Sequence, residues 1–421
     1  MKTLVSIWVS FVMMFISFVP GFIPPENKAE NAVSYPYIFV HGLFGWGSGE
    51  GINQSLPYWG ATSCRLIENI SDEGYECYEA SVGPVSSNWD RACELYAQLA
   101  GTRVDYGEAH SKQHNHLRYG RTYEEPIVEN WGAEDGSGGV NKVNLIGHSF
   151  GGNTIRLLAG LLANGAPSEL AVTDSSDISP LFVGGKANWV NACVTICTPN
   201  NGSTCAYLAD ELHLRNLLLA MVFTYTGIMG RSAANGYVDF HLEQFGLTNI
   251  PGEKTTNEMM VKAIKRVLEQ PEDNAAYDLG PEGVMKLNEY TEPSSETYYF
   301  SYPFQTTRKS LISDNQVALP STFAPLMPFA NMMGEYKKNR ISDYPIDETW
   351  LANDGLVNVV SAKYPFDEAH TDYDPANVQK GIWNVMPLST GDHGNAIGIG
   401  VSEESIMKFY NGIIDMIENL E

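Results

Sequence analysis

Gly147-His148-Ser149-Phe150-Gly151 sets a serine between two glycines, the spacing needed by a nucleophile held on a sharp strand-to-helix turn. A serine hydroxyl is a poor nucleophile until a base takes its proton, so the string gains meaning only with a histidine and a carboxylate elsewhere in the chain. Bare strings of this kind also occur in ordinary loops. Here the context is selective. Val143-Asn144-Leu145-Ile146 reads as a buried strand entering the turn, and Ile155, Leu158, Ala159 and Leu162 recur at helical spacing after it, up to Gly165. Such a helix points its N-terminal amides and positive dipole end at the reacting oxygen. The predicted chemistry is acyl transfer through a covalent intermediate on Ser149.

In chains built around this turn, the acid follows the serine and the histidine follows the acid. Only His213, His241, His370 and His393 lie beyond the elbow helix. His370 sits among Asp367, Glu368, Asp372 and Asp374, which read as a solvated acidic loop. His393 sits in the tight turn Gly391-Asp392-His393-Gly394, between the apolar stretch Ile382 to Leu388 and a closing helix, and is taken as the general base. For the acid, Asp354 stands in Asn353-Asp354-Gly355, just ahead of Leu356-Val357-Asn358-Val359-Val360; its role would be to fix the imidazole tautomer and stabilise the imidazolium. The residues alone leave Asp343, Asp347 and Asp392 in competition, because Asp-Gly pairs are common in plain turns. An oxyanion hole needs two backbone N–H donors, and Phe150 and Leu43 supply them, the latter following His41-Gly42 at the end of an early strand.

These groups require a scaffold. Tyr37-Ile38-Phe39-Val40 is a continuous apolar run, as expected of a parallel-sheet strand buried on both faces, and a glycine-rich turn from His41 to Gly47 follows it. Val194 to Ile196 and Tyr298 to Phe300 are further strand candidates, and Ile406 to Leu420 has helical periodicity. Strands alternating with helices predict an α/β fold with a mostly parallel central sheet and helices on both faces. With 43% hydrophobic and 18% charged residues and no repeat or long linker, one catalytic domain over residues 33–421 is the simplest organisation.

A net charge of −24 disfavours nucleic acid and anionic lipid head groups as partners. Met1 and Lys2 precede an uncharged run from Leu4 to Val19, about sixteen residues, which is shorter than a bilayer span; it reads as a secretory signal within a leader of residues 1–32, and export is expected without a transmembrane anchor. Secretion permits disulfides among Cys64, Cys77, Cys93, Cys193, Cys197 and Cys205, but a chain of this length needs none, and their pairing is left open.

Several strings resemble the zinc-containing secreted lipases of thermophilic bacilli and their staphylococcal relatives. They are Val40-His41-Gly42 with Gly45-Trp46-Gly47, the run from Val82 to Glu94, Val104-Asp105-Tyr106-Gly107, Gly120-Arg121-Thr122-Tyr123, the elbow, the run from Asn353 to Asn358, and Asp392-His393. The resemblance implies an α/β-hydrolase fold, lipase or carboxylesterase activity, and Asp354 and His393 as the partners of Ser149. It further implies a structural zinc held by Asp90, His110, His116 and Asp278, in an insertion of about residues 86–130, with His114 the neighbour most easily confused with a ligand. Two imidazoles and two carboxylates suit a closed four-coordinate zinc. The positions that hold calcium in the bacillus members are here Asn395, Gly400 and Val401, so a calcium site is expected to be lost. Phe150 replaces a glutamine common in the thermophilic enzymes, and its ring is expected in the wall of the acyl pocket.

An apolar stripe at helical spacing, Leu214, Leu217, Leu218, Met221, Val222 and Tyr225, reads either as an ordinary core helix or, as the resemblance implies, as a mobile lid within about residues 200–250. Such a lid favours lipid esters at an oil–water interface as substrates, acylglycerols first and aliphatic polyesters as an extension, with no obligate protein partner. Amide or acyl-transfer chemistry by the same three residues, or a non-catalytic binding module, are the alternative readings; the intact trio argues against the second.

Overall fold

The computed structural model describes residues 35–136, 138–212, 219, 239–247, 256–269, 272–340 and 345–420. The leader expected at 1–32 lies outside them, as do Leu214, Leu217, Leu218, Met221, Val222 and Tyr225 of the apolar stripe. Seven strands form one sheet: β1 (Tyr37–Val40), β2 (Cys77–Ala80), β3 (Val143–His148), β4 (Val190–Ile196), β5 (Tyr298–Tyr302), β6 (His370–Asp372) and β7 (Trp383–Val385). They lie in the order β6-β7-β5-β4-β3-β1-β2, and every pair is parallel.

Strand geometry sends alternate side chains to opposite faces, which explains why the central strands β1, β3, β4 and β5 are largely apolar rather than alternating. Ile38, Val40, Leu145, Cys193 and Tyr299 pack on one face, under α1 (Asn88–Ala100) and α3 (Phe150–Asn164), with the short α2 (Glu108–His114) between the two in the chain. Tyr37, Phe39, Ile146, Val194 and Phe300 pack on the other, under α4 (Glu403–Glu418), whose Ile406, Tyr410, Ile413 and Ile417 recur at the helical period. The two-faced parallel sheet expected from the sequence is the observed one.

Three strands of this sheet escaped the sequence reading. β2, β6 and β7 span three or four residues each and carry polar positions, too short for a period to emerge. The segment around His370, read as a solvated acidic loop, is in fact the sheet's edge. His370 is exposed and stacks on Tyr364, while Glu368 turns inward to Arg156 Nη2 at 3.2 Å and Trp383 Nε1 at 2.6 Å. All six cysteines are free thiols, and Cys93, Cys193 and Cys197 are fully enclosed.

Candidate active site and metal cluster

Ser149 follows β3 directly and adopts φ 56°, ψ −127°, a backbone that side-chain-bearing residues seldom occupy. Two absent side chains make room for it. A Cβ on Gly147 would lie 2.6 Å from the Gly151 carbonyl carbon, and one on Gly151 would lie 2.0 Å from the Val40 carbonyl oxygen. The Ser149 N–H donates to Ile196 O at 2.8 Å, fixing the turn to the end of β4. The strain is therefore over-determined by neighbouring strands, and the hydroxyl is presented at the carboxyl edge of the sheet.

Asp354 and His393 meet there. His393 Nδ1 lies 2.8 Å from Asp354 Oδ2, and the His393 N–H donates to the Asp354 carbonyl at 2.9 Å, so backbone and side chain together set the ring's position. The other carboxylate oxygen, Oδ1, accepts from the N–H groups of Leu356 and Val357 at 2.9 and 2.7 Å. Those bonds explain the Asn353-Asp354-Gly355 string: the chain must turn back on its own carboxylate, and Gly355, at φ 102°, makes that turn. With Nδ1–H committed to Asp354, Nε2 is left as the proton acceptor. Ser149 and His393 both line one cavity. Asp392, an alternative acid by sequence, is spent otherwise, accepting from Phe323, Gly394 and Asn395 N–H groups. Asp347 caps a short helix through Thr349, and Asp343 lies outside the described residues.

The loop after β1 approaches from the other side: a Cβ on Gly42 would lie 2.8 Å from Ser149 Cβ. The Gly42 N–H donates to Tyr58 Oη at 2.8 Å and the Phe44 N–H to Pro84 O at 3.0 Å, leaving the Leu43 N–H with no such partner among the described residues. Phe150 opens α3, where the first N–H groups have no helical acceptor. Arg91 on α1 holds this loop from beneath, donating from Nη2 to His41 O at 2.5 Å, from Nη1 to Gly83 O at 2.7 Å and from Nε to Thr154 Oγ1 at 2.8 Å. Phe150's ring, expected in the pocket wall, instead lies under this guanidinium, 4.9 Å from it and fully buried. Arg91 was legible only as a letter in a matching string. Tyr58 was not anticipated, and His148 was legible only as the residue before the serine in the elbow string; nothing local in the sequence marks their pairing.

The cavity encloses about 290 Å³, and its walls are almost entirely apolar, with Phe44, Trp46, Leu219, Phe240, Phe323 and Leu326 among them. Leu219, from the same stretch as the apolar stripe, is buried there. The turn after His393 is closed by protein groups. Asn395 Nδ2 donates to Ile399 O at 2.9 Å, and Ser63 Oγ lies 2.6 Å from both Gly398 O and Val401 O.

A second cluster lies beyond α1. Asp90, His110 and His116 come together as expected, but the fourth member is Asp273 and not Asp278. His110 Nε2 lies 3.3 Å from Asp90 Oδ1 and 3.3 Å from Asp273 Oδ1, and His116 Nε2 lies 3.4 Å from Asp273 Oδ2. Among the described residues the buried Nε2 atoms of His110 and His116, Asp90 Oδ1 and both Asp273 carboxylate oxygens make no well-aligned hydrogen bond; they face one another instead. With His116 Nε2 4.0 Å from Asp90 Oδ1, the separations run from 3.3 to 4.0 Å, near the roughly 3.4 Å expected between donors about 2.0–2.1 Å from a shared ion, so the set suits a small cation. Surrounding groups orient the donors: His116 Nδ1 faces Leu117 O at 2.8 Å, Gln244 Nε2 donates to Asp90 Oδ2 at 2.7 Å, and Trp89 stacks on the His110 ring. Asp278 instead accepts the Asn88 N–H at 2.6 Å at the start of α1, and burial pushes its carboxyl up to about 7. The His114 ring lies beside His110 but outside the group of four.

Comparison with known proteins places this geometry. The chain is 36% identical over 413 residues to "Lipase 1" of Staphylococcus aureus, an alignment covering 94% of this chain and 56% of the relative, so the chain spans about half the length of the curated relatives it matches. Among solved structures, Staphylococcus hyicus lipase aligns with a TM-score of 0.80 at 33% identity, covering 94% of this chain and 99% of that one. EstA from Clostridium botulinum aligns with a TM-score of 0.77 at 36% identity, covering 97% and 94%. A parallel sheet with helices on both faces, a strained serine at its carboxyl edge and a match to the family description from residue 33 to residue 421 lead to one assignment: the chain belongs to the lipase-like, C-terminal domain family.

Proposed function

We propose that this chain hydrolyses carboxylic esters of lipids. The observation that carries the reading is the strained Ser149 turn lining the same apolar cavity as His393, whose Nδ1 is held 2.8 Å from Asp354. Ser149 Oγ attacks the ester carbonyl while His393 Nε2 takes its proton, and the imidazolium so formed is stabilised by the Asp354 carboxylate. The tetrahedral oxyanion accepts the Leu43 and Phe150 N–H groups. His393 then returns the proton to the departing alcohol, and water repeats the sequence on the acyl-enzyme.

The apolar cavity, which Leu219 helps to line, suits acyl chains, which favours acylglycerols met at an oil–water interface. Zinc is the cation we assign to Asp90, His110, His116 and Asp273, with a structural role: four protein donors leave no open position for substrate. The Leu4 to Val19 run supports export, and among the described residues no helix is long and apolar enough to cross a membrane. The test is hydrolysis of p-nitrophenyl esters and triacylglycerol emulsions by wild type and Ser149→Ala. Loss of kcat by roughly 10⁴-fold or more in a folded variant is expected; near-wild-type turnover would remove Ser149 from the mechanism.

A further inference from the structure

The strands Thr307–Lys309 and Gln316–Ala318 form an antiparallel hairpin whose tip carries Leu311 and Ile312, 89% and 97% exposed. Among the described residues the next most exposed large hydrophobic side chain is Val261, at 61%. Single exposed apolar residues are ordinary, but two adjacent ones standing wholly in water at the end of a projection are not. The tip is ordered by its own bonds, Ser310 N–H to Asn315 O at 2.9 Å and Ile312 N–H to Ser310 Oγ at 3.3 Å.

Its base is tied to the active site. The Thr306 N–H donates to Asn353 O at 2.9 Å and the Asn353 N–H to Thr307 Oγ1 at 3.1 Å, one residue before Asp354. The second strand rests on the segment that supplies Phe329 to the cavity, through Gln316 N–H to Gly334 O at 2.8 Å and Ala318 N–H to Asn331 Oδ1 at 2.9 Å. Phe323 and Leu326, which also line the cavity, follow within the same stretch.

We propose that the Leu311-Ile312 tip enters an uncharged lipid surface and holds the cavity against it. This rests on the lipid-ester reading above. The attraction is apolar: Lys309 and Asp314 pair across the tip at 3.2 Å, and a net charge of −24 opposes approach to anionic lipid. Burying both side chains in oil removes them from water together, and their loss should weaken adsorption on the order of a hundredfold.

The test separates adsorption from catalysis. Flotation with a triolein emulsion is measured for Ser149→Ala and for the same protein with Leu311→Ser and Ile312→Ser added. Separately, the double tip variant with Ser149 intact is assayed on soluble p-nitrophenyl butyrate. The expected result is a large fall in adsorption, unchanged butyrate turnover and unchanged Tm. Ile312→Trp should show a blue-shifted emission when triolein is added. Adsorption equal to that of the parent, no shift in emission, or tighter binding to phosphatidylglycerol vesicles than to triolein would overturn the proposal. Failure of the esterase reading would appear elsewhere, as absent butyrate hydrolysis by wild type.

Discussion

Tyr58 Oη lies 2.7 Å from His148 Nδ1, and the pair joins the loop after β1 to the loop that carries His393. The donors can be ordered. Tyr58 Oη accepts the Gly42 N–H, so its own proton goes to His148 Nδ1; His148 Nε2–H then donates to the His393 carbonyl at 3.2 Å. Burial, with His393 alongside, keeps the His148 ring well below the usual histidine range, which preserves this neutral tautomer. Tyr58→Phe removes the middle member and leaves the Gly42 N–H without an acceptor beside Leu43. Expected are a stability loss of about 1–3 kcal/mol and a fall in kcat of about tenfold with KM little changed. Steady-state kinetics on a soluble ester check it; an unchanged kcat would show that the chain of bonds does not position the site.

Arg91 makes three hydrogen bonds from full burial, two of them to backbone carbonyls of loops flanking Ser149. Lysine keeps the charge but has one point donor in place of a planar fork. Arg91→Lys should lower stability by roughly 2–4 kcal/mol, seen as an earlier denaturant midpoint, and lower kcat as the His41-Gly42-Leu43 loop loosens.

The metal assignment distinguishes two aspartates. If the cation is bound about a thousandfold below its working concentration, it contributes on the order of 4 kcal/mol, so phenanthroline should lower Tm before it lowers activity at moderate temperature. Asp273→Asn should reduce the zinc found by elemental analysis far more than Asp278→Asn, whose carboxyl is spent on the Asn88 N–H. Equal metal contents in the two variants would reassign the fourth donor. Calcium addition is expected to leave Tm unchanged.

The buried neutral histidines His41 and His148 each contribute stability that is lost in acid. Burial, with Arg91 near His41 and His393 near His148, lowers both pKa values well below the usual histidine range. A depressed folded pKa means that the unfolded chain binds protons first, so stability is whole above about 6.5 and falls with decreasing pH, by up to about 1.4 kcal/mol per pH unit for each ring. Asp278, whose carboxyl burial pushes up to about 7, acts in the opposite sense over the same range, so the histidine share is read by difference: between pH 7 and pH 5, urea titrations should show the pH dependence of His148→Asn differing from that of wild type by one histidine's share, the variant being the less sensitive to acid. An identical slope in the variant would contradict the assignment.

Much of the site was legible because its chemistry is written locally. The Ser149 turn needs a strand, two glycines and a helix within a short window, and Asp354 needs a glycine and two following N–H groups, so both leave strings. Asp273 left none: it reaches His110 and His116 through tertiary folding alone, and motif position pointed to the neighbouring Asp278. Tyr58 and His148 are similar, since their pairing depends on how the loop after β1 packs across β3. Strands β2, β6 and β7 failed for a different reason, being held by their neighbours in the sheet rather than by a pattern of their own.

The order of strands in the sheet also sets when the trio can exist. β3, which presents Ser149, pairs with β1 before it and β4 after it, but Asp354 and His393 arrive only after β5, which docks on β4. Contacts so distant along the chain close late and slowly, because the intervening loop must lose its entropy before they form. A chain emerging residue by residue therefore carries its nucleophile long before its base. Until β5 and the segment after it have docked, Asp354 and His393 are not beside Ser149, so under the proposed mechanism the nascent chain holds its serine without a base.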